Sequence, residues 1–250
     1  MTKTKTLEKL LQFSLTSVLL VVSQGSNAHT TTLLEMTGGA AVDNAIAIGH
    51  GCEAQNKGVI AQSVVFPTVN PIIASTGSTP ITDLNDVIEG GTLESFADLI
   101  QSRDIFVLQK EKTNVLGNVV GFYGTTGSLF PYAQGRVPFS ATAPRFADTS
   151  CAKKLTVEYA IADICVTSKP TIKPEKVNLW IPDNGSQFAV KGAANGVDGI
   201  GEPAVLVINR DLVNNPLPTD GSCADGAVDV TLTISPEDID ANLPIPGWTY

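Results

Sequence analysis

Two histidines stand in the 250 residues of this chain, His29 and His50, and both occupy positions from which they could hold a metal ion. His29 follows directly on what reads as a secretory signal. Lys3, Lys5 and Lys9 form a positive n-region and residues 10–22 an apolar stretch of h-region length. Ser26, Asn27 and Ala28 then supply the small residues a signal peptidase accepts. Cleavage after Ala28 makes His29 the first residue of the mature chain. Its α-amine and imidazole then chelate one ion from a single residue, and Cu(II) heads the affinity order for such nitrogen donors. The plain alternative is that some residue has to come first. His50 lies in Ile48-Gly49-His50-Gly51-Cys52-Glu53, whose glycines let the backbone turn sharply and approach another group closely. It reads either as a second nitrogen ligand or as a loop histidine bonded to backbone.

The elements that must position these residues are mostly strands. Apolar, β-rich runs cover 42–49 and 59–66, on either side of a polar segment at 52–58. Residues 67–91, rich in Pro, Thr, Ser, Asn and Gly, read as a long surface connection. Phe96, Leu99 and Ile100 share one helical face, so 92–102 is expected to form the one helix of the mature chain. Strands are expected at 105–109 and 115–123, with Lys110-Glu111-Lys112 as a charged turn between them. A looser region follows over 124–146. The clearest alternation is Leu155, Val157, Tyr159 and Ile161, a strand buried on one face. Residues 177–181, 204–209 and 227–234 complete the set. Many short strands, abundant Gly and Pro and one helix imply an all-β sandwich with long, function-bearing loops.

Residues 1–28 read as a cleaved signal and 29–250 as a single β-sandwich domain with loop insertions, long enough for a sizeable core. The h-region is too short to span a bilayer and nothing later is long and apolar enough, so no transmembrane segment is expected in the mature chain. The protein should be exported, to the periplasm, the cell surface or the medium. The formal charge of −9 becomes −11 once a signal carrying three lysines and one glutamate is removed. That acidity argues against nucleic acid as a partner. Cys52, Cys151, Cys165 and Cys223 form an even set in an exported chain, which implies two disulfides with three connectivities open. No pair has the close spacing of a zinc site.

Other chemistry is thin. Met36 could offer a thioether to copper, yet a lone methionine near a strand is more often core. Asp183-Asn184-Gly185 and Asp198-Gly199 could line calcium loops, but neither has the full spacing and turns explain them. Asp238 and Asp240 read as solvated, and Trp248 as part of a terminal tail packed on the sheet. There is no Gly-x-Ser-x-Gly elbow, His-Glu-x-x-His helix or phosphate loop.

His29, a strand, Gly49-His50-Gly51-Cys52, a polar linker and Val64-Val65-Phe66-Pro67 together resemble the amino-terminal half of the YcnI-like copper-binding domains. Cys165 and Trp180-Ile181-Pro182 look like that family's later cysteine and tryptophan segment. The resemblance covers about a quarter of the chain and implies an immunoglobulin-like sandwich. It also implies Cys52–Cys165 and Cys151–Cys223 pairing, and copper held by His29 with help from Glu35 and Trp180. A second resemblance is to the MopE and CorA type of copper-acquisition proteins of methane-oxidising bacteria. These hold Cu(I) with two histidines and a tryptophan oxidised to kynurenine; His29, His50 and Trp180 or Trp248 are the residues available for it here.

These readings imply a copper-binding protein for capture or delivery, working with a copper-delivery or membrane copper-uptake partner and catalysing no reaction. A histidine-brace copper monooxygenase is the enzymatic alternative, though no flat aromatic array is evident for gripping a glycan. A structural or adhesive surface protein without metal is the third.

Overall fold

A computed structural model describes residues 29–52, 57–78, 80–166, 171–224 and 226–248. The signal expected at 1–28 and Glu53 lie outside these residues. One sheet has the order β1 (Thr31–Thr32), β3 (Ala41–Ile48), β9 (Gly135–Thr142) and β6 (Ala97–Leu99). The other runs β2 (Met36–Thr37), β12 (Ala204–Asn209), β10 (Ala152–Ile164), β4 (Ala61–Val65), β8 (Val119–Gly127) and β7 (Phe106–Thr113). Three more strands join it: β11 (Val177–Trp180) and β13 (Val228–Thr233) pair with β10, and β5 (Ile72–Ser75) pairs with β13. The all-β sandwich expected from the sequence is the fold observed.

β10 organises the larger sheet. Its first half, from Lys154 to Tyr159, pairs antiparallel with β12 and is flanked by parallel β13. Its second half pairs with β4 and β11. Leu155, Val157, Tyr159 and Ile161 point between the sheets, into a core where Phe66 touches Phe96, Phe122, Phe139 and Tyr159. From Tyr159 onward every residue of β10 is buried, so the alternation ends there. The reason is a second apolar layer on the outer face, where Ala160, Ala162 and Ile164 meet Phe188, Ala189, Ile239 and Leu243. Those four residues belong to two short helices and their ends.

Helices form where local capping favours them. α1 (Gln187–Asn195) starts on Ser186, whose hydroxyl accepts the Ala189 N–H, and stops at Gly196 with φ of 68°. α2 (Pro236–Asn242) starts on Ser235, with proline in its first turn beside Glu237 and Asp238. The helix expected over 92–102 is absent. Ser95 adopts φ of 55°, which a helix cannot contain, and Ala97–Leu99 instead pair with β9. Residues 67–91 hold β5 and one 3-10 turn, and 124–146 hold β9.

Lys110-Glu111-Lys112 are strand residues of β7, not a turn; the chain reverses later, over 114–117. Lys112 points inward. Its Nζ donates to the Ser63 hydroxyl at 2.6 Å and to the backbone oxygens of Asn242, Leu243 and Pro244 at the end of α2. Burial pushes its amine from 10.5 down to about 7. Above pH 7 the unfolded chain therefore holds a proton that the folded chain has released, so stability rises with pH toward 10.5. The limiting gain is on the order of 5 kcal/mol, at about 1.4 kcal/mol per pH unit. Thermal melts should show a higher midpoint at pH 9 than at pH 7, and Lys112→Met should flatten that rise. A midpoint unchanged in the parent protein would contradict the assignment. Above pH 10 the buried Tyr159 hydroxyl, whose ionisation burial disfavours, works the other way.

Candidate metal centre

His29 is held by the three threonines that follow it. Thr30 donates through its hydroxyl to Asp163 Oδ2 at 2.5 Å. Thr31 Oγ1 bonds both the carbonyl oxygen and the N–H of Val205, each at 3.1 Å. The Thr32 hydroxyl meets the Tyr159 hydroxyl at 2.7 Å. β1 itself pairs with the end of β3, Thr31 opposite Ala47. The His29 backbone is thus fixed between the sheets, while its imidazole stays about half exposed.

His50 comes off the end of β3 into a tight passage. Gly51 lies so close to the chain at Lys57 that a β-carbon would stand 2.2 Å from its carbonyl oxygen. The Gly51 N–H donates to Pro131 O, and Cys52 is disulfide-bonded to Cys165, the residue just after β10. The His50 Nδ1–H donates to the Gly51 carbonyl at 2.5 Å, which leaves the ring's lone pair on Nε2. Unlike His29, His50 is buried. The close approach anticipated for the flanking glycines is real at Gly51. Gly51→Ala should displace the His50 segment, with a loss of about 2 kcal/mol typical of overpacking at a crowded site. Equilibrium denaturation measures it; an unchanged midpoint would contradict the packing.

Both histidines face Trp180. The centroid of the His29 ring lies 4.9 Å from that of the indole, the His50 centroid 6.1 Å, each edge-on. Trp180 sits on β11 opposite Ile161 and is 1 % exposed. Its Nε1–H donates to Asp163 Oδ2 at 2.8 Å. Asp163, fully buried, also accepts from Gln62 Nε2 at 2.7 Å through Oδ1. Burial pushes this carboxyl up, against the pull of the Thr30, Gln62 and Trp180 donors and of nearby His50. Gln62 Oε1 is buried with no hydrogen-bond partner among the described residues.

The acidic residue beside His29 is not Glu35. Glu35 accepts from Asn209 Nδ2 at 2.8 Å, at the far end of β12, because the chain runs from His29 along that strand before reaching it. Glu202, just before the near end of β12, accepts from His29 Nδ1 at 3.1 Å instead. Nothing in the spacing between Glu202 and His29 marks the pair; β12 brings them together. Met36 is buried core on β2, and Trp248 packs against the helical layer, on the other side of the sheet from Trp180. The calcium candidates are turns: Asn184 donates to Ile234 O, and the Asp198 carbonyl accepts Leu179 N–H. Asp238, read as solvated, is buried and accepts the N–H groups of Thr68 and Val69.

The disulfides are Cys52–Cys165 and Cys151–Cys223. Among the described residues no three His, Cys, Asp or Glu side chains are grouped to hold a metal, and no helix is long and apolar enough to cross a membrane. What the site offers is two imidazoles against one indole, each with its Nδ1 engaged. No protein-family model, curated protein or solved structure matches this chain.

Proposed function

We propose that the protein is an exported copper-binding protein, non-catalytic, that captures or delivers the ion, held by His29 and His50 against Trp180. One observation carries the reading. The two histidines of the whole chain lie on separate segments, with β1, β2 and β3 between them, and both pack on the same buried indole. Scattered at random over a sandwich of this size, two residues would rarely do so. Glu202 and the Gly51 carbonyl act on the histidines from outside, fixing ring orientation as partners of metal-binding imidazoles commonly do. The residues that meet are those implied by the resemblance to the MopE and CorA type, with Trp180 rather than Trp248. Two disulfides fit an oxidising compartment and hence export. After processing at Ala28, the α-amine of His29 could join its own ring on one ion only through Nδ1, the nitrogen that now faces Glu202.

The test is intact mass and metal content of protein purified from its own host. A mass beginning at His29 with one copper per chain is expected, and loss of that copper in a His29→Ala, His50→Ala double variant. Absence of copper, or copper undiminished in the double variant, overturns the reading.

A further inference from the structure

We propose that Asp163 is the positioning residue of this centre, a buried carboxylate that aligns Trp180 and the His29 segment through hydrogen bonds without touching the ion. The inference rests on the copper reading for its purpose, but its geometry stands independently. Asp163 is the penultimate residue of β10, on the face that looks between the sheets. One oxygen, Oδ2, receives both the indole N–H of Trp180 and the hydroxyl of Thr30, the residue next to His29. The other oxygen receives the Gln62 amide from β4. A single side chain therefore ties three separate segments of chain, β11, β4 and the residue after His29, beside the indole that both histidines face. Its bonds to Trp180 and Thr30 fix the two ring partners relative to one another. Removing it would free the indole to rotate and leave the donors of three buried groups unsatisfied.

A carboxylate could serve a cation by charge or by geometry, and one substitution separates the two. In Asp163→Asn the remaining oxygen can accept from Trp180 and Thr30, while the new amide faces Gln62. The Gln62 amide can turn so that Oε1, without a hydrogen-bond partner among the described residues, accepts it. The substitution keeps the bonding pattern and deletes the charge. Asp163→Ala deletes both.

The readouts are two. Without metal, the chain gives one pair of histidine ring signals by NMR, shifted by the neighbouring indole, and a downfield indole N–H signal from Trp180. With metal, titration of the reduced protein with Cu(I) against a competing chelator gives the affinity. Asp163→Asn should retain the ring-current shifts and bind Cu(I) within about threefold of the parent protein. Asp163→Ala should lose the Trp180 N–H signal and the shifts, and bind about tenfold or more weakly, the range for losing an outer partner of a metal ligand. Thr30→Val should move the His29 signal while leaving that of His50 in place, and it decides the matter if Asp163→Ala fails to fold. Unchanged histidine shifts in Asp163→Ala, or in Thr30→Val, overturn the proposal. So does equal weakening in the Asn and Ala variants, which would assign the effect to charge. A parent protein that binds no Cu(I) while the metal-free shifts respond as described would sink the copper reading alone.

Discussion

His50→Ala is expected to weaken copper binding by about 100-fold, or about 2.8 kcal/mol, without unfolding the protein. His50 is one of two imidazoles at the indole, and the site has no third His, Cys, Asp or Glu grouped with them among the described residues. An ion that loses it keeps His29 and nothing else of comparable donor strength. Stability should change little. The ring lies at the edge of the core, and its Nδ1–H donates to the carbonyl of the next residue, which also lies near the Asn178 amide. Competition with a Cu(I) chelator gives the affinity, and a thermal melt checks the fold. An affinity within threefold of the parent protein, with the fold intact, would remove His50 from the site.

Replacing Cys52 and Cys165 together by alanine should cost about 3–5 kcal/mol, because the bond closes a long loop whose entropy returns to the unfolded chain. The two cysteines are 113 residues apart in sequence. The second expected effect is on copper. Cys52 follows His50 by two residues and Cys165 follows Asp163 by two, so the bond holds both halves of the centre at the end of β10. The matching pair, Cys151 and Cys223, lies at the opposite end of β10, beside a cavity of about 390 Å³. Its removal should destabilise the fold comparably, with a separation of 72 residues, yet leave copper affinity nearly unchanged. Denaturant melts and chelator competition on the two double variants make the comparison. Equal effects on copper from both pairs would show that the Cys52–Cys165 bond has no special hold on the histidines.

The sandwich is legible because its strands advertise themselves. β3, β4 and β12 are apolar runs, and the first half of β10 alternates cleanly. The helices are not, since both are short and their apolar residues are few. Their capping serines, Ser186 and Ser235, are the signal that was there to be read. Over 92–102 the apolar spacing is that of a helix, and the left-handed Ser95 and the pairing with β9 override it. Of the centre, His29, His50 and Trp180 carry a chemistry visible from residue type alone. Asp163 and Glu202 do not, for an aspartate in a β-run and a glutamate beside a turn are ordinary until register places them. The three threonines after His29 carry no signal of a site by residue type, yet each holds one fixed point of the fold.

The two disulfides overlap in sequence, and the stretch they share is β10. The shortest covalent route from Cys52 to Cys223 crosses to Cys165, runs backward along that strand to Cys151, and crosses again. Tension applied to chain on either side would therefore load β10 in reverse, as a shear against its neighbours on both flanks. Everything between Cys52 and Cys151, and between Cys165 and Cys223, would hang slack from that path. A molecule pulled this way should yield at high force and then lengthen little, like a strap with a buckle at each end.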